Sequence, residues 1–430
     1  MTKRLVVDTG PLARVEGEGS LTIESEGGKV LDVRLNMFEP PRYYEAFLQG
    51  RKVEEVVDIV SRICGICPVA YQISALNALE GLFGVEIDEQ VQRLRRLIYL
   101  GEWIESHALH VFMLAAPDFL RVPDAMTLAK QKPDLVNKAL SLKHLGNSLM
   151  AVIGGREVHP VSLKLGGIYK APERESLAGS LLKLETLQGF AEEAVRLTSS
   201  FEAPALERDV TFVSLRESTR YAITGGDIVS NRGLHIAPSA YEDNFVEHQV
   251  EYSNALRSLT REGESYMVGP LARVNLNFDQ LSPKARELAD DVGFKSPVTD
   301  PFKSIVGRAL ELVHALEQVK EEVRLYSKPA HPYSSYEYRE GTGFGVSEAP
   351  RGVLYHSYEV SRKGYIEKAK IVPPTAQNQV RIEEDVRQLA PRIIEAPPAE
   401  ARRISEMAVR NYDPCISCAT HFLKLKVQRL

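Results

Sequence analysis

The chain has 430 residues, 44% of them hydrophobic, which is enough to bury a large core in one or two closely packed domains. Its formal net charge is −5, and Lys and Arg are spread along the chain without a basic block, so nothing indicates a nucleic-acid-binding protein. No apolar stretch approaches the roughly 18 residues of a membrane-spanning helix, and the N-terminus lacks the apolar region of an export signal. We therefore expect a cytoplasmic protein without a membrane span.

Apolar residues spaced three and four apart predict a mainly helical core. One such pattern follows Pro68, a residue suited to the first turn of a helix, and continues to Phe83. The same periodicity predicts further helices at 89–115, 134–152, 176–200, 240–260 and 301–326.

Alternating apolar residues predict small β elements around this core. We expect a hairpin over residues 20–38, a strand-and-loop segment over 205–235 and a second hairpin from 352–361 and 364–372. Residues 341–345 (GTGFG) are interpreted as a tight loop, because they lack the strand, helix and downstream acidic residue of a dinucleotide-binding fingerprint. The predicted fold class is α+β: a large, mainly helical bundle with small hairpins and sheets, in a single domain over 1–430.

All four cysteines lie in two CxxC pairs near opposite ends of the chain, Cys64 with Cys67 and Cys415 with Cys418. Four thiolates brought together from two segments would form one soft-ligand metal site. A disulfide framework is unexpected in so long a chain without a secretory signal, and a thioredoxin-like motif would need one pair on a βαβ pattern. A structural zinc site stays open as an alternative, although zinc-binding pairs usually lie within one small module.

Four segments, PLARVEGEGSL, RICGICPVAYQ, EAPRGVLYHSYEV and DPCISCATH, together resemble the large, catalytic subunit of [NiFe]-hydrogenases. The resemblance runs from about residue 11 to His421 and is strongest to the cytoplasmic, NAD(P)-linked bidirectional and sulfhydrogenase types. It implies the [NiFe]-hydrogenase large-subunit fold and the reversible reaction H2 ⇌ 2 H+ + 2 e−.

The resemblance also implies a Ni-Fe(CN)2(CO) centre held by the four thiolates, which are soft ligands suited to nickel. Cys64 and Cys415 would be terminal nickel ligands, whereas Cys67 and Cys418 would bridge nickel to iron. Cys415 would also be the first proton acceptor, because a terminal thiolate has more unshared electron density than a bridging one.

Three further motifs supply candidate catalytic residues by the same resemblance. Glu16 would relay protons away from the metals, which a carboxylate with a pKa raised by burial can do. Arg351 would lie over the metals, and Asp118 and Asp413 would orient its guanidinium group.

The resemblance places two more residues at the cofactor and two at a second metal. Pro350 and Thr375 would contact the nickel–iron centre, with Thr375 donating a hydrogen bond to a cyanide. Glu45 and His421 would hold Mg2+ (or Fe2+) near the C-terminus, which suits a hard ion with oxygen and imidazole ligands.

The sequence departs from the family at two positions. Many relatives have His where Glu18 stands, which leaves the proton exit beyond Glu16 open. Many also have His where Tyr71 stands, and a tyrosine can donate a hydrogen bond but cannot act as a neutral base near pH 7. His107 and His110 are interpreted as packing or hydrogen-bonding residues, and His159 as a candidate contact to the small subunit or a buried, hydrogen-bonded histidine.

The resemblance implies several partners. Electrons would leave through a small subunit with iron–sulfur clusters, since this chain has no cysteine left for a cluster. Diaphorase subunits binding FAD and NAD(P) would complete a hetero-oligomer, and a maturation chaperone and a C-terminal endopeptidase would process it. Residues 422–430 would be the removed extension, and we expect a chain that keeps them to be inactive. The alternatives are the same chemistry linked to a deazaflavin or heterodisulfide reductase partner, or a structural zinc scaffold with four cysteine ligands.

Overall fold

The computed structural model describes residues 4–206 and 208–420. In that part of the chain, antiparallel strands form three sheets of three strands (β1-β2-β3, β6-β7-β8 and β11-β12-β13) and two ribbons (β4-β5 and β9-β10). The strands are β1 (Arg4–Pro11), β2 (Gly19–Glu26), β3 (Lys29–Met37), β4 (Leu163–Lys164), β5 (Gly167–Ile168), β6 (Val213–Arg216), β7 (Asp227–Ser230), β8 (His235–Ile236), β9 (Phe245–Gln249), β10 (Leu256–Thr260), β11 (Gly341–Ala349), β12 (Gly352–Val360) and β13 (Ile366–Val372).

Helices make up the larger part of the fold. They are α1 (Tyr44–Leu48), α2 (Val53–Ser61), α3 (Pro68–Phe83), α4 (Glu89–Ala108), α5 (Ala116–Phe119), α6 (Ala125–Gln131), α7 (Pro133–Gly154), α8 (Arg174–Ser199), α9 (Tyr241–Asn244), α10 (Pro270–Leu276), α11 (Pro283–Asp291), α12 (Ser304–Leu325), α13 (Pro374–Glu395), α14 (Pro398–Arg410) and α15 (Ile416–Ala419). The predicted α+β class is confirmed. No described helix is both long and apolar enough to cross a membrane.

The core is built on α4, which packs against α7 and α12. Gly101 and Gly146 permit a close α4–α7 contact, because a Cβ atom on Gly146 would lie 2.4 Å from the carbonyl oxygen of Gly101. The predicted helices at 134–152, 176–200 and 301–326 are confirmed as α7, α8 and α12. The predicted helix over 89–115 is in fact two segments: α4 ends at Ala108, and Leu109–Ala115 forms a π-helix before Pro117, whose ring cannot continue a regular helix.

The predicted helix at 240–260 is wrong. Only Tyr241–Asn244 is helical, and β9 and β10 pair antiparallel after it. The Phe245 ring packs in a tilted geometry against Tyr241 and Tyr266, with ring centroids 4.8 Å from each, so aromatic packing decides the local structure rather than the helical spacing of apolar residues.

The interpretation of residues 341–345 as a tight loop is also wrong, because they begin strand β11. This strand packs on α3, and the close approach requires glycine. A Cβ atom on Gly343 or Gly345 would lie 2.1 Å from the carbonyl oxygen of Ala78 or Ser74. The packing matters for function because α3 directly follows the first cysteine pair and β11 leads into the turn that contains Arg351.

Candidate metal centre

The two CxxC segments meet in the interior. Cys64 and Cys67 lie in the loop between α2 and α3, and Cys415 is the N-cap of α15, which contains Cys418. The Sγ atoms of Cys64 and Cys415 are 3.6 Å apart, those of Cys67 and Cys418 are 3.8 Å apart, and all four lie within 4.8 Å of one another. Each cysteine is at most 4% exposed.

Four buried sulfur donors in so small a volume fit a metal centre with soft ligands. A disulfide requires an S–S distance of about 2.0 Å, well below either of the short distances here, and the four thiols are free. Sulfur donors favour nickel, iron or zinc over hard ions such as magnesium. The predicted convergence of Cys64, Cys67, Cys415 and Cys418 is therefore confirmed by the geometry.

Glu16 lies against the second cysteine pair. Its Oε2 accepts hydrogen bonds from the Cys415 thiol at 3.0 Å and from the Ser417 amide at 3.1 Å, and its backbone carbonyl accepts from the Ile416 amide at 2.9 Å. Burial raises the pKa of Glu16, and the nearby Cys64 raises it further, despite the opposing effect of its hydrogen bonds. A carboxyl group here can hold a proton that a sulfur ligand has given up.

A polar chain continues outward from Glu16. The Ser417 hydroxyl donates to Oε1 of Glu39 at 2.5 Å, and the other Glu39 oxygen accepts from the Glu18 amide at 3.1 Å. Glycine is required at position 17, because a Cβ atom there would lie 2.5 Å from Glu39 Oε2. Glu18 is exposed, so these groups connect the sulfur cluster with the surface.

Arg351 lies in the turn between β11 and β12 and is 3% exposed. Its Nε donates to the Asp413 carbonyl at 2.7 Å and its Nη2 to Asp413 Oδ1 at 3.1 Å, whereas Nη1 has no hydrogen-bond partner among the described residues. Burial opposes its charge, but Asp413 and the sulfurs of Cys415, Cys67 and Cys64 outweigh that effect and raise the pKa of Arg351 well above its usual value. Arg351 therefore holds a permanent positive charge beside the cysteines, with one nitrogen available to a ligand.

Asp413 and Asp118 do not share the role predicted for them. Asp413 contacts Arg351, as predicted, and its second oxygen lies 3.4 Å from Arg308. Asp118 instead accepts from Arg14 at 2.6 Å and from Arg410 at 2.7 Å through each of its oxygens. The prediction that Asp118 orients Arg351 is therefore corrected. The Asp118 carboxylate is instead bound by Arg14 and Arg410.

Thr375 and Pro350 lie in the layer next to the cysteines. The Thr375 hydroxyl oxygen accepts from the Cys415 amide at 2.9 Å, so the hydroxyl lies beside the cluster and its own hydrogen is available to another acceptor. The Pro350 carbonyl accepts from Arg273 at 3.0 Å and so fixes the turn that carries Arg351.

These contacts, a four-sulfur cluster with a carboxyl group on one side and an arginine on the other, agree with the comparisons to known proteins. The family described as nickel-dependent hydrogenase matches residues 42–148 and 230–421. Sulfhydrogenase 1 subunit alpha of Pyrococcus furiosus is 34% identical over 418 residues, which are 96% of this chain and 97% of that protein. The chain belongs to the nickel-dependent hydrogenase family.

Two other relatives are named as NAD-reducing hydrogenases. The beta subunit of the NAD-reducing hydrogenase HoxS of Cupriavidus necator is 28% identical over 98% of this chain and 96% of that subunit. A solved NAD+-reducing [NiFe]-hydrogenase in its H2-reduced state aligns with a TM-score of 0.88 and 28% identity, covering 97% of this chain and 99% of that one.

Tyr71, where the sequence analysis expects many relatives to have His, is a buried tyrosine beside the cysteines. It is 1% exposed, and burial together with the nearby Cys418, Cys67 and Cys415 raises its pKa well above the usual value. The phenol therefore stays neutral. His107 and His110 are hydrogen-bonding residues, as predicted: they contact Glu311 and the Arg410 carbonyl, each at 2.8 Å.

Of the two residues predicted to hold a second metal, only Glu45 lies among the described residues. Glu45 Oε1 accepts from the Ile371 amide at 2.8 Å, and burial raises the pKa of Glu45 to about 7. His421 lies outside the described residues, as does the extension at 422–430. His159 Nδ1 lies 2.7 Å from the Ser61 carbonyl, next to the first cysteine loop.

Two residues that position the cysteines were not predicted from the sequence. Arg42 Nη2 donates to the carbonyl of Ile63 at 2.6 Å and to that of Ser417, so one guanidinium group links both CxxC segments. Glu102, fully buried in α4, accepts from the amides of Val69 at 2.6 Å and Ala70 at 3.1 Å and so caps the N-terminus of α3. The signal that could have indicated Glu102 is a single carboxylate within the run LIYLGEWI of α4 at residues 97–104.

Proposed function

We propose that this chain is the catalytic subunit of a [NiFe]-hydrogenase that interconverts H2 with protons and electrons and is linked to NAD(P). One observation carries the proposal: four buried thiols within 4.8 Å of one another, with the Glu16 carboxyl group 3.0 Å from one sulfur. A structural zinc site has no need of a carboxyl group with a raised pKa or of a buried arginine with an open donor.

Cys64, Cys67, Cys415 and Cys418 would hold the nickel–iron centre. When bound, that centre supplies the Lewis acidity that polarises H2 and accepts the two electrons. The open Nη1 of Arg351 and the Thr375 hydroxyl supply donors to anionic ligands such as cyanide. Asp413 orients Arg351 for this purpose, and Pro350 fixes the turn from which it extends.

The protein's own part in the reaction is proton transfer. Cys415 accepts a proton at Sγ and passes it to Glu16 Oε2, 3.0 Å away. Beyond Glu16, the Ser417 hydroxyl donates to Glu39, which accepts from the backbone amide of Glu18, so Glu39 is the next carboxylate toward the surface. The Asp118 carboxylate supports the route indirectly, since it anchors Arg14 two residues before Glu16.

Electrons would leave through a small subunit with iron–sulfur clusters, because the four cysteines of this chain are all at one site. The surface beside the first cysteine loop suits such a partner: Val158, Val161 and Tyr169 are 45%, 44% and 61% exposed. Diaphorase subunits with FAD and NAD(P) would follow, and the names of two relatives state that they reduce NAD. Glu45 and His421 would hold Mg2+ (or Fe2+), and a chaperone and an endopeptidase would complete maturation before activity.

The proposal is tested by an infrared spectrum and metal analysis of the complex purified without oxygen. We expect bands of metal-bound carbon monoxide and cyanide, with one nickel per catalytic chain and iron in excess of nickel because the clusters of the small subunit add to it. Zinc in place of nickel, with no such bands in material processed after His421, would overturn the proposal.

A further inference from the structure

The two cysteine pairs come from opposite ends of the chain, and few contacts join them directly. We call residues 62–67 the first segment and residues 413–420 the second segment. Among the described residues, the contacts between sulfur atoms are the direct polar contacts from one segment to the other. Ionised thiolates repel one another, so the sulfurs alone cannot hold the two segments together. Another group must hold them at the separation that a shared metal requires.

Arg42 makes this connection. Its Nη2 donates to the Ile63 carbonyl at 2.6 Å in the first segment and also to the Ser417 carbonyl in the second. Each of these carbonyl groups belongs to the residue just before a cysteine. The backbone amide of Arg42 donates to the Thr420 carbonyl at 2.8 Å. One residue therefore holds both segments, next to a cysteine in each.

The residues that follow Arg42 hold it in place. The Arg42 guanidinium group lies 5.4 Å from the centroid of the Tyr44 ring, and the Tyr44 hydroxyl donates to the Arg62 carbonyl of the first segment at 2.9 Å. Tyr43 has φ 57°, a left-handed conformation that a residue with a Cβ atom adopts where its surroundings impose it. The backbone is therefore fixed where Arg42 extends toward the two segments.

The polar contacts of Arg42 differ from those of the other buried arginines. Its side chain bonds carbonyl oxygens and packs on a tyrosine ring, and it forms no ion pair with a described carboxylate. Hydrogen bonds from a charged donor are stronger than those from a neutral one. Substitution of Arg42 therefore removes the link between the segments without leaving a buried carboxylate unpaired.

We propose that Arg42 is a positioning residue that latches the second segment to the first and thereby slows the release of the metal from the four cysteines. The second segment is also held by Glu16 and Thr375, but neither of these side chains bonds the backbone of the first segment. Without Arg42, the two cysteine pairs can move apart while each pair stays intact. The effect on the metal rests on the proposed function, whereas the latch is a property of the chain itself.

The latch is tested on the metal-free chain by alkylation with iodoacetamide, followed by mass spectrometry. The cysteines are at most 4% exposed, so labelling requires opening. We expect R42M to label at Cys415 and Cys418 about tenfold faster than the unchanged protein, the factor expected for a lost hydrogen bond from a charged donor. Urea below the unfolding transition should not change this rate, because local opening exposes little surface.

The matched control is R51M. Arg51 also packs on an aromatic ring, with its guanidinium group 4.5 Å from the centroid of Phe47, and its ion pair is with Glu55 rather than with either cysteine segment. R51M should label as slowly as the unchanged protein. R42K keeps the charge on a shorter side chain and should label about threefold faster than R51M, which tests the latch if R42M does not fold.

Two labelling results would overturn the latch. One is labelling of R42M, or of R42K where R42M does not fold, that is no faster than that of R51M. The other is a labelling rate of R42M that rises steeply from the lowest urea concentrations, because the cysteines would then be reached by global unfolding and Arg42 would only stabilise the fold.

Metal release is measured on the intact complex, kept without oxygen in EDTA, by elemental analysis at successive times. R42M should lose nickel about tenfold faster than R51M, in proportion to its faster opening. Faster labelling with unchanged nickel loss would overturn the effect of the latch on the metal. If the complex holds zinc in place of nickel and iron, the proposed function fails, and the labelling of R42M still decides whether the latch exists.

Discussion

Two buried arginines in neighbouring parts of the interior differ in how fully their donors are used. Arg273 donates to both oxygens of Glu311 at 2.7 and 2.8 Å, to Glu348 at 3.0 Å, and to the carbonyls of Ala349 and Pro350. Arg351 contacts Asp413 and keeps Nη1 without a described partner. Both are at most 3% exposed, so burial does not separate them. The saturated arginine belongs to the framework, and the unsaturated one is available for chemistry.

The same contrast extends to the groups around each arginine. Glu311 is held ionised by Arg273, and its pKa is lowered to about 2, although burial alone would raise it. Glu16 keeps a raised pKa beside the cysteines. Arg273 therefore fixes the charge of Glu311, although burial raises the pKa of its other partner, Glu348, to about 7. Beside the sulfur cluster, Glu16 is a group that can change protonation.

The largest effect on nickel binding and activity is expected when one sulfur ligand is removed. Cys415→Ser replaces a soft thiolate with a hydroxyl, which is a poor nickel ligand. We expect nickel to fall to background and H2 oxidation to be lost, while the framework around Arg273 remains folded. Metal analysis and circular dichroism of the purified complex measure the two effects. Nickel retained at the normal level would contradict the assignment of Cys415 as a ligand.

A smaller but selective effect is expected from Arg351→Lys. The charge is kept, but the paired contacts to Asp413 and the open planar donor are lost. H2 oxidation should fall about 100-fold, as when one preorganised donor is removed from an active site, with nickel and iron retained. The measurement is turnover per nickel together with the cyanide infrared bands, which should shift. Unshifted bands with normal turnover would show that Arg351 does not contact the cofactor.

Substitution of the framework arginine, Arg273, should reduce the stability of the fold. Arg273→Met leaves Glu311 and Glu348 buried without their partner, and such a loss costs about 3 to 5 kcal/mol. Urea unfolding should show this loss. The control R362Q removes an arginine with an 89% exposed side chain and should change stability by no more than about 0.5 kcal/mol. A variant as stable as R362Q would mean that the Arg273 network is not structural.

The sequence distinguishes functional residues from framework residues only where the functional residues lie within short motifs. The cysteine pairs can be seen in two short segments, and the long amphipathic helices follow from periodicity. The roles of Glu16 and the Arg351–Asp413 contact came from the resemblance of short motifs to a known family. The partner of Asp118 could not be predicted, because Arg14 and Arg410 compete for it from distant parts of the chain. Arg42 and Glu102 escaped notice since their partners are backbone carbonyls and amides, which no side-chain pattern records.

The smallest expected effect is on the pH dependence of stability. It comes from three buried histidines, His107, His110 and His314. Burial lowers their pKa values to about 4, about 3 and about 3, so the folded protein keeps them neutral. In the unfolded chain they take up protons near pH 6.5. The unfolded state therefore binds more protons between about pH 6.5 and pH 4, and stability falls as the pH is lowered through that range.

Each histidine should contribute up to about 1.4 kcal/mol per pH unit to this loss. His314→Gln, which can keep an acceptor for the Ser282 amide at 3.0 Å, should reduce the slope by about one third. Urea unfolding between pH 7 and pH 5 measures the slope, with His235→Gln as the control, because the His235 side chain is 69% exposed. If the two variants had the same slope as the unchanged protein, the acid sensitivity would have to come from carboxylates rather than from the histidines of the framework.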